Sequence, residues 1–274
     1  QYETSRFFTF YMTPFLSAAS PSTGPLAGAT NVSLRGTHLW GAGSHVLCSF
    51  GETNVPASRA ANSFGQELFC VAPATRALGT TTPLGLPLSV SLNGQQFSTS
   101  LADAFVQYAQ PAISSLTPHS GPAIDGHTFI TVRGAFLQEG ASDIRCSFAG
   151  RAGRVELPAS ALSGNALRCA SPPHLNAITD DEAQLVAPTG ALEVLQLRIS
   201  LNAQQFTNSS NFISFVPHNI TKLTPTSGPL EGGTLVNLSL SHKAHNATGI
   251  ARCRFGRTTV PASIQADHEH VSCA

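Results

Sequence analysis

Apolar and polar residues alternate along many short runs of this chain. Leu88, Val90 and Leu92 alternate with Ser89 and Ser91, Leu197, Ile199 and Leu201 with Arg198 and Ser200, and Val236, Leu238 and Leu240 with Asn237 and Ser239. A period of two buries one face and wets the other, so these runs predict β-strands. Turn residues bound the runs closely, and no long stripe at helical spacing stands out.

The runs belong to a unit that repeats. Pro21-Ser22-Thr23-Gly24-Pro25 returns as Pro118-His119-Ser120-Gly121-Pro122 and as Pro225-Thr226-Ser227-Gly228-Pro229. A strand follows each one, with Asn31 and Asn237 read as the same strand position and Phe129 standing there in the second copy. Then come Cys48-Ser49-Phe50-Gly51, Cys146-Ser147-Phe148-Ala149-Gly150 and Cys253-Arg254-Phe255-Gly256. Next stand Val55-Pro56-Ala57-Ser58, Leu157-Pro158-Ala159-Ser160 and Val260-Pro261-Ala262-Ser263, followed by Cys70, Cys169 and Cys273. Two copies continue through Ser91-Leu92-Asn93-Gly94-Gln95-Gln96-Phe97 and Ser200-Leu201-Asn202-Ala203-Gln204-Gln205-Phe206. They close with Phe105-Val106-Gln107-Tyr108 and Phe212-Ile213-Ser214-Phe215. Repeats of about 100 residues built from short strands point to immunoglobulin-type β-sandwiches. The second copy is longer by a surface loop between His174 and Leu192, and its Asp180-Asp181-Glu182 reads as a solvated acidic turn.

These landmarks resemble the immunoglobulin-like, plexin and transcription-factor domain, IPT/TIG. The resemblance rests on Pro111, Ile113, Leu116, Pro118, Ser120, Gly121, Pro122, Gly126 and Gly134, then on Cys146, Phe148, Gly150, Cys169 and Pro172. The first copy has Thr23 where Ser is usual, and the third lacks the second Gly. The resemblance implies an all-β fold of tandem IPT/TIG sandwiches. It divides the chain into a closing strand of a preceding repeat (1–13), two repeats (14–110 and 111–218) and an incomplete repeat (219–274). The family occurs in cell-surface receptors, extracellular repeat proteins, carbohydrate-active enzymes and DNA-binding factors, so the fold by itself selects no function.

Charge narrows the choice. Charged residues are 11% of the chain, and Lys+Arg and Asp+Glu both number 15, giving a formal net charge of zero. No basic stripe is available to neutralise phosphates, which argues against nucleic-acid binding. No apolar run is long enough to span a membrane as a helix.

Cysteines and sequons point outside the cell. One pair recurs in each repeat, Cys48 with Cys70, Cys146 with Cys169 and Cys253 with Cys273. Such pairing predicts three disulfides and an oxidising compartment; six buried thiols are the other reading. Asn-x-Ser/Thr sequons stand at Asn31, Asn208, Asn219, Asn237 and Asn246, and alternation turns Asn31 and Asn237 away from the core.

Enzyme chemistry finds little support. The chain has no Gly-x-Ser-x-Gly, Walker loop or His-Glu-x-x-His, and its carboxylates show no glycosidase-like pairing. His242, His245, His268 and His270 read as exposed loop histidines, so no catalytic residue, metal or cofactor is expected.

The expected function is structural or adhesive: an extracellular or cell-surface repeat protein forming a stalk or glycosylated filament, with a plexin-like receptor stalk as the alternative. The expected partners are N-linked glycans and neighbouring repeats of the same or identical chains. Gln1-Tyr2-Glu3-Thr4-Ser5 aligns with Gln96-Phe97-Ser98-Thr99-Ser100, and the following aromatics with the closing strand at Phe105 to Tyr108. Residues 1–12 are therefore expected to close a sandwich other than the first.

Overall fold

Alternation along the chain becomes ladders of short strands. The computed structural model describes residues 8–40, 45–59, 66–75, 83–123, 127–137, 140–151, 153–162, 165–173, 193–241, 244 and 251–274. Among them there are strands and no helix. The first sandwich contains β1 (Phe15–Ser20), β2 (Thr23–Pro25), β3 (Asn31–Thr37), β4 (Leu47–Phe50), β5 (Thr53–Arg59), β6 (Glu67–Val71), β7 (Leu84–Ser91) and β8 (Leu101–Tyr108). The second contains β9 (Ala112–Thr117), β10 (Ser120–Pro122), β11 (Phe129–Ala135), β12 (Arg145–Gly150), β13 (Gly153–Pro158), β14 (Ser160–Leu162), β15 (Ala166–Ala170), β16 (Glu193–Ser200) and β17 (Ser210–Phe215). The third contains β18 (Ile220–Thr224), β19 (Val236–Leu240), β20 (Arg252–Phe255), β21 (Thr258–Ile264) and β22 (His270–Cys273).

Each complete sandwich pairs two mainly antiparallel sheets. In the second, the order is β10-β17-β16-β12-β13 in one and β14-β15-β11-β9 in the other. The first has the same two halves, joined because β5 pairs with β4 at one end and with β6 at the other. The Pro-Ala-Ser landmark makes this corner. Proline has no N–H to donate to a ladder, and the following alanine donates instead to a neighbouring carbonyl. Ala57 donates to the Val46 carbonyl, Ala159 to that of Ile144 and Ala262 to that of Ala251.

The inward residues of both sheets form one core per sandwich. Val32, Leu34, Leu88 and Val90 fill the first, and Ile130, Val132, Leu197 and Ile199 the second. Disulfides cross between the sheet halves at Cys48–Cys70, Cys146–Cys169 and Cys253–Cys273, with Cα separations of 6.4, 6.1 and 6.2 Å. All six cysteines are buried.

Register corrects one alignment. Val32 pairs with Cys70, Ile130 with Cys169 and Val236 with Cys273. Asn31 therefore corresponds to Phe129 and Leu235, whereas Asn237 corresponds to Ser33 and Thr131. The two sequons are two residues out of step. A slip of two keeps the same face, and Asn31 and Asn237 are both exposed.

Candidate functional site

Among the described residues, the chemistry-bearing side chains singled out in the sequence do not converge. Among the described residues, no group of three or more His, Cys, Asp or Glu side chains could hold a metal. His270 Nδ1 lies 2.6 Å from Asp267 Oδ2, and His268 Nδ1 lies 3.1 Å from the Ala244 carbonyl oxygen. The His270 hydrogen bond comes first among the contacts that hold the Asp267 carboxyl below its usual range. His242, His245 and residues 180–182 lie outside the described residues. Asn31, Asn208, Asn219 and Asn237 are exposed, and Asn246 also lies outside the described residues.

What the structure does build is a junction between the first and second sandwiches. Its first part is a plug. Tyr108 ends β8 of the first sandwich, yet its ring is 1% exposed within the core of the second. That burial pushes the Tyr108 hydroxyl well above its ordinary pKa, so the plug stays neutral. The Tyr108 carbonyl accepts the Leu26 N–H, which ties the plug to its own sandwich.

The second part is a latch formed by the Ser-Leu-Asn-x-Gln-Gln-Phe motif of the second sandwich. Asn202 Oδ1 accepts the Gln204 and Gln205 N–H groups, which fixes the turn. Asn202 Nδ2 donates to the Thr23 carbonyl at 3.1 Å and to Gln205 Oε1 at 2.7 Å. Gln205 Oε1 accepts the Thr30 hydroxyl at 3.0 Å, and its Nε2 donates to the Ala29 carbonyl at 2.9 Å. Gln204 meets the backbone of Asn31 twice, accepting its N–H and donating to its carbonyl, both at 2.9 Å. The hydroxyls of Thr23 and Ser142 add a contact at 2.8 Å. The grip is directed mainly at backbone groups, so it reads the shape of an edge more than its side chains. A positive φ of 64° at Ala29 shapes that edge, and His127 and Gly233 repeat it at 58° and 78°.

The third sandwich presents the same edge beside an open groove. In the first sandwich Phe105 packs edge to face on Phe50 at 5.3 Å, and in the second Phe212 does so on Phe148 at 6.2 Å. Both incoming rings sit tight against glycine. A Cβ on Gly24 would lie 2.8 Å from the Phe105 ring, and one on Gly121 would lie 3.1 Å from that of Phe212. β2 pairs in parallel with β8, and β10 with β17, beside these glycines. Around Gly228 no such ring approaches among the described residues. A groove of about 500 Å³ lies there, lined by Leu223, Gly228, Thr234, Val236, Phe255 and Val260. Phe255, the counterpart of Phe50 and Phe148, is 44% exposed.

Residues 8–12 form no strand. Phe8 and Phe10 are 81% and 88% exposed, while Tyr11 packs against the first core. Tyr11 stands four residues before Phe15 of β1, as Tyr108 stands four before Ala112 of β9. It is thus the first sandwich's own plug, and Phe8 is the counterpart of Phe105. Residues 1–7 of the expected closing segment lie outside the described residues. The motif roles were not legible in the sequence. The recurrence of Asn-x-Gln-Gln was visible, but its partners are more than 170 residues away.

Comparison with known proteins agrees with this architecture. The sequence model of the IPT/TIG domain matches residues 14–106 and 111–212. A solved structure of the plexin A4 full extracellular region is 17% identical, with a TM-score of 0.51, over 96% of this chain. This chain spans about a fifth of that one, 20% of its length. The FN1–FN3 domains of chicken CNTN1 are 10% identical over 95% of this chain and 87% of theirs, with a TM-score of 0.27. No curated protein matches the sequence. No helix among the described residues is long and apolar enough to cross a membrane.

Proposed function

Because this chain belongs to the IPT/TIG domain family, we propose that it is an extracellular structural or adhesive repeat protein whose sandwiches join end to end into a stalk or glycosylated filament. The observation that carries this reading is the junction between the first two sandwiches. Plug and latch act at separate points, so one sandwich is held against rotation on the next. A flexible tether between independent domains needs neither. Three buried disulfides favour an oxidising compartment. Glycans on Asn31, Asn208, Asn219, Asn237 and Asn246 supply the solubility that a surface with few charges lacks.

In this reading the groove of the third sandwich takes a closing strand, as β2 and β10 take β8 and β17 in the other two. An aromatic ring on that strand fits the space beside Phe255, and the strand lies parallel to residues 227–229. This is strand addition to an exposed edge, with a pocket for one side chain giving the specificity. Likeness to the plexin A4 extracellular region favours a second reading, the stalk of a receptor ectodomain. Electron microscopy of the purified, glycosylated chain separates the two. Filaments support assembly, and isolated short rods at every concentration support the receptor stalk.

A further inference from the structure

We infer that Gln107 is a positioning residue of the junction: its buried amide ties the edge that the latch grips to the strand that carries the plug. The inference rests on the rigid-junction reading above and names the side chain that joins its two parts.

Gln107 stands on β8, one residue before the plug Tyr108. It pairs across the parallel ladder with Gly24, beside the Thr23 carbonyl that Asn202 grips. The residue is fully buried, and its Nε2 donates to the Pro73 carbonyl at 2.8 Å. Residues 72–75 run alongside the gripped edge and hold it. The Ala29 N–H donates to the Ala72 carbonyl at 2.9 Å, and the Ala72 N–H donates to the Thr30 carbonyl at 2.8 Å. The Thr75 N–H donates to the Leu26 carbonyl at 2.9 Å. At Gly28 the two segments are so close that a Cβ would stand 2.6 Å from the Ala74 nitrogen. The edge therefore follows residues 72–75, and Gln107 pins those residues to β8. Ala29 and Thr30 then present a carbonyl and a hydroxyl to Gln205. A continuous path runs from Tyr108 through Gln107, Pro73, Ala72 and Ala29 to Gln205.

Two observations set Gln107 apart from an ordinary core residue. Its Oε1 is buried with no hydrogen-bond partner among the described residues. A buried amide oxygen left unpaired costs stability, so an apolar side chain would suit the core better. What the glutamine adds is the Nε2 contact. The second sandwich holds its edge differently. Ser214, opposite Gly121, stands in the place of Gln107, and register makes Ser171 the counterpart of Ala72. The Ser171 hydroxyl oxygen accepts the Thr128 N–H at 3.0 Å. Ala72 has no hydroxyl, so the first edge lacks that hold and relies on Gln107.

The test follows amide exchange in the glycosylated chain, comparing wild type with Gln107→Met, which keeps the volume and removes the amide. The Asn31 N–H donates to Gln204 and reports the latch, while the Ser98 N–H donates to the Val90 carbonyl and reports the rest of the first sandwich. Gln107→Met should speed exchange at Asn31 about 5-fold, the effect of one hydrogen bond, and leave Ser98 unchanged. Adding Ala72→Ser, which supplies the hydroxyl that Ser171 uses, should return Asn31 toward its wild-type rate. Combining Gln107→Met with Gln205→Ala should give less than the product of the two separate accelerations, because both act on one contact. Equal acceleration at Asn31 and Ser98 would reduce Gln107 to a core residue and overturn the inference. Unchanged exchange at Asn31 refutes the brace and leaves the junction standing. A wild-type Asn31 amide that exchanges as fast as in Asn202→Ala refutes the junction itself, and the brace with it.

Discussion

The second and third sandwiches share a disulfide, a Pro-Ala-Ser corner and a left-handed residue at the edge, yet only the second has a sealed core. Phe148 is 0% exposed beneath Phe212, whereas Phe255 is 44% exposed beneath an open groove. The difference teaches that the cross-link and the corner set the frame, and that the closing strand supplies the seal. A single aromatic ring on that strand fits against a glycine that leaves no room for a side chain.

The largest way to break this comparison is to remove the ring. Phe212→Ala should destabilise the second sandwich by about 3–5 kcal/mol, the cost of emptying a buried aromatic site. Phe255→Ala, already half open to water, should cost less than about 1.5 kcal/mol. Chemical denaturation of each variant reads both values, and equal losses would erase the distinction. Next comes the shared frame. Replacing Cys146 and Cys169 with alanine should cost about 3 kcal/mol, and the pair Cys253 and Cys273 should lose nearly the same, because the closed loops are similar in length. A disulfide effect confined to one sandwich would move the seal from the strand to the cross-link.

The junction gives smaller effects. Asn202→Ala loses the carbonyl contact to Thr23 and the fixed turn, so it should weaken the coupling between the first two sandwiches by about 1–3 kcal/mol. Asn93→Ala should leave that coupling unchanged. Thr30→Val, which removes one hydroxyl from Gln205, should cost about 1 kcal/mol. Melting the first and second sandwiches together and apart measures these couplings.

Much of this architecture was legible in the sequence because strands and turns leave local marks. Leu88, Val90 and Leu92 alternate with serines, and all three are buried as that alternation requires. The repeat spacing located the cysteine partners. Exact register was harder, since Asn31 and Asn237 both obey a period of two while lying two residues apart in the ladder. The corner at Pro56, Pro158 and Pro261 was visible only as a recurring phrase. Its role depends on which carbonyl receives the next N–H, and that carbonyl belongs to another segment. The latch lay furthest from view. Gln205 reads as an ordinary polar turn residue until the fold brings Ala29 and Thr30 beside it.

The most direct measurement is hydrogen exchange on the glycosylated chain, followed at the edge of the first sandwich that Asn202, Gln204 and Gln205 grip. A rigid junction requires the Asn31 amide, which donates to Gln204, to exchange slowly, and Asn202→Ala should speed its exchange at least ~10-fold by releasing the turn that holds Gln204. An Asn31 amide that exchanges equally fast in the wild-type chain and the variant contradicts the account.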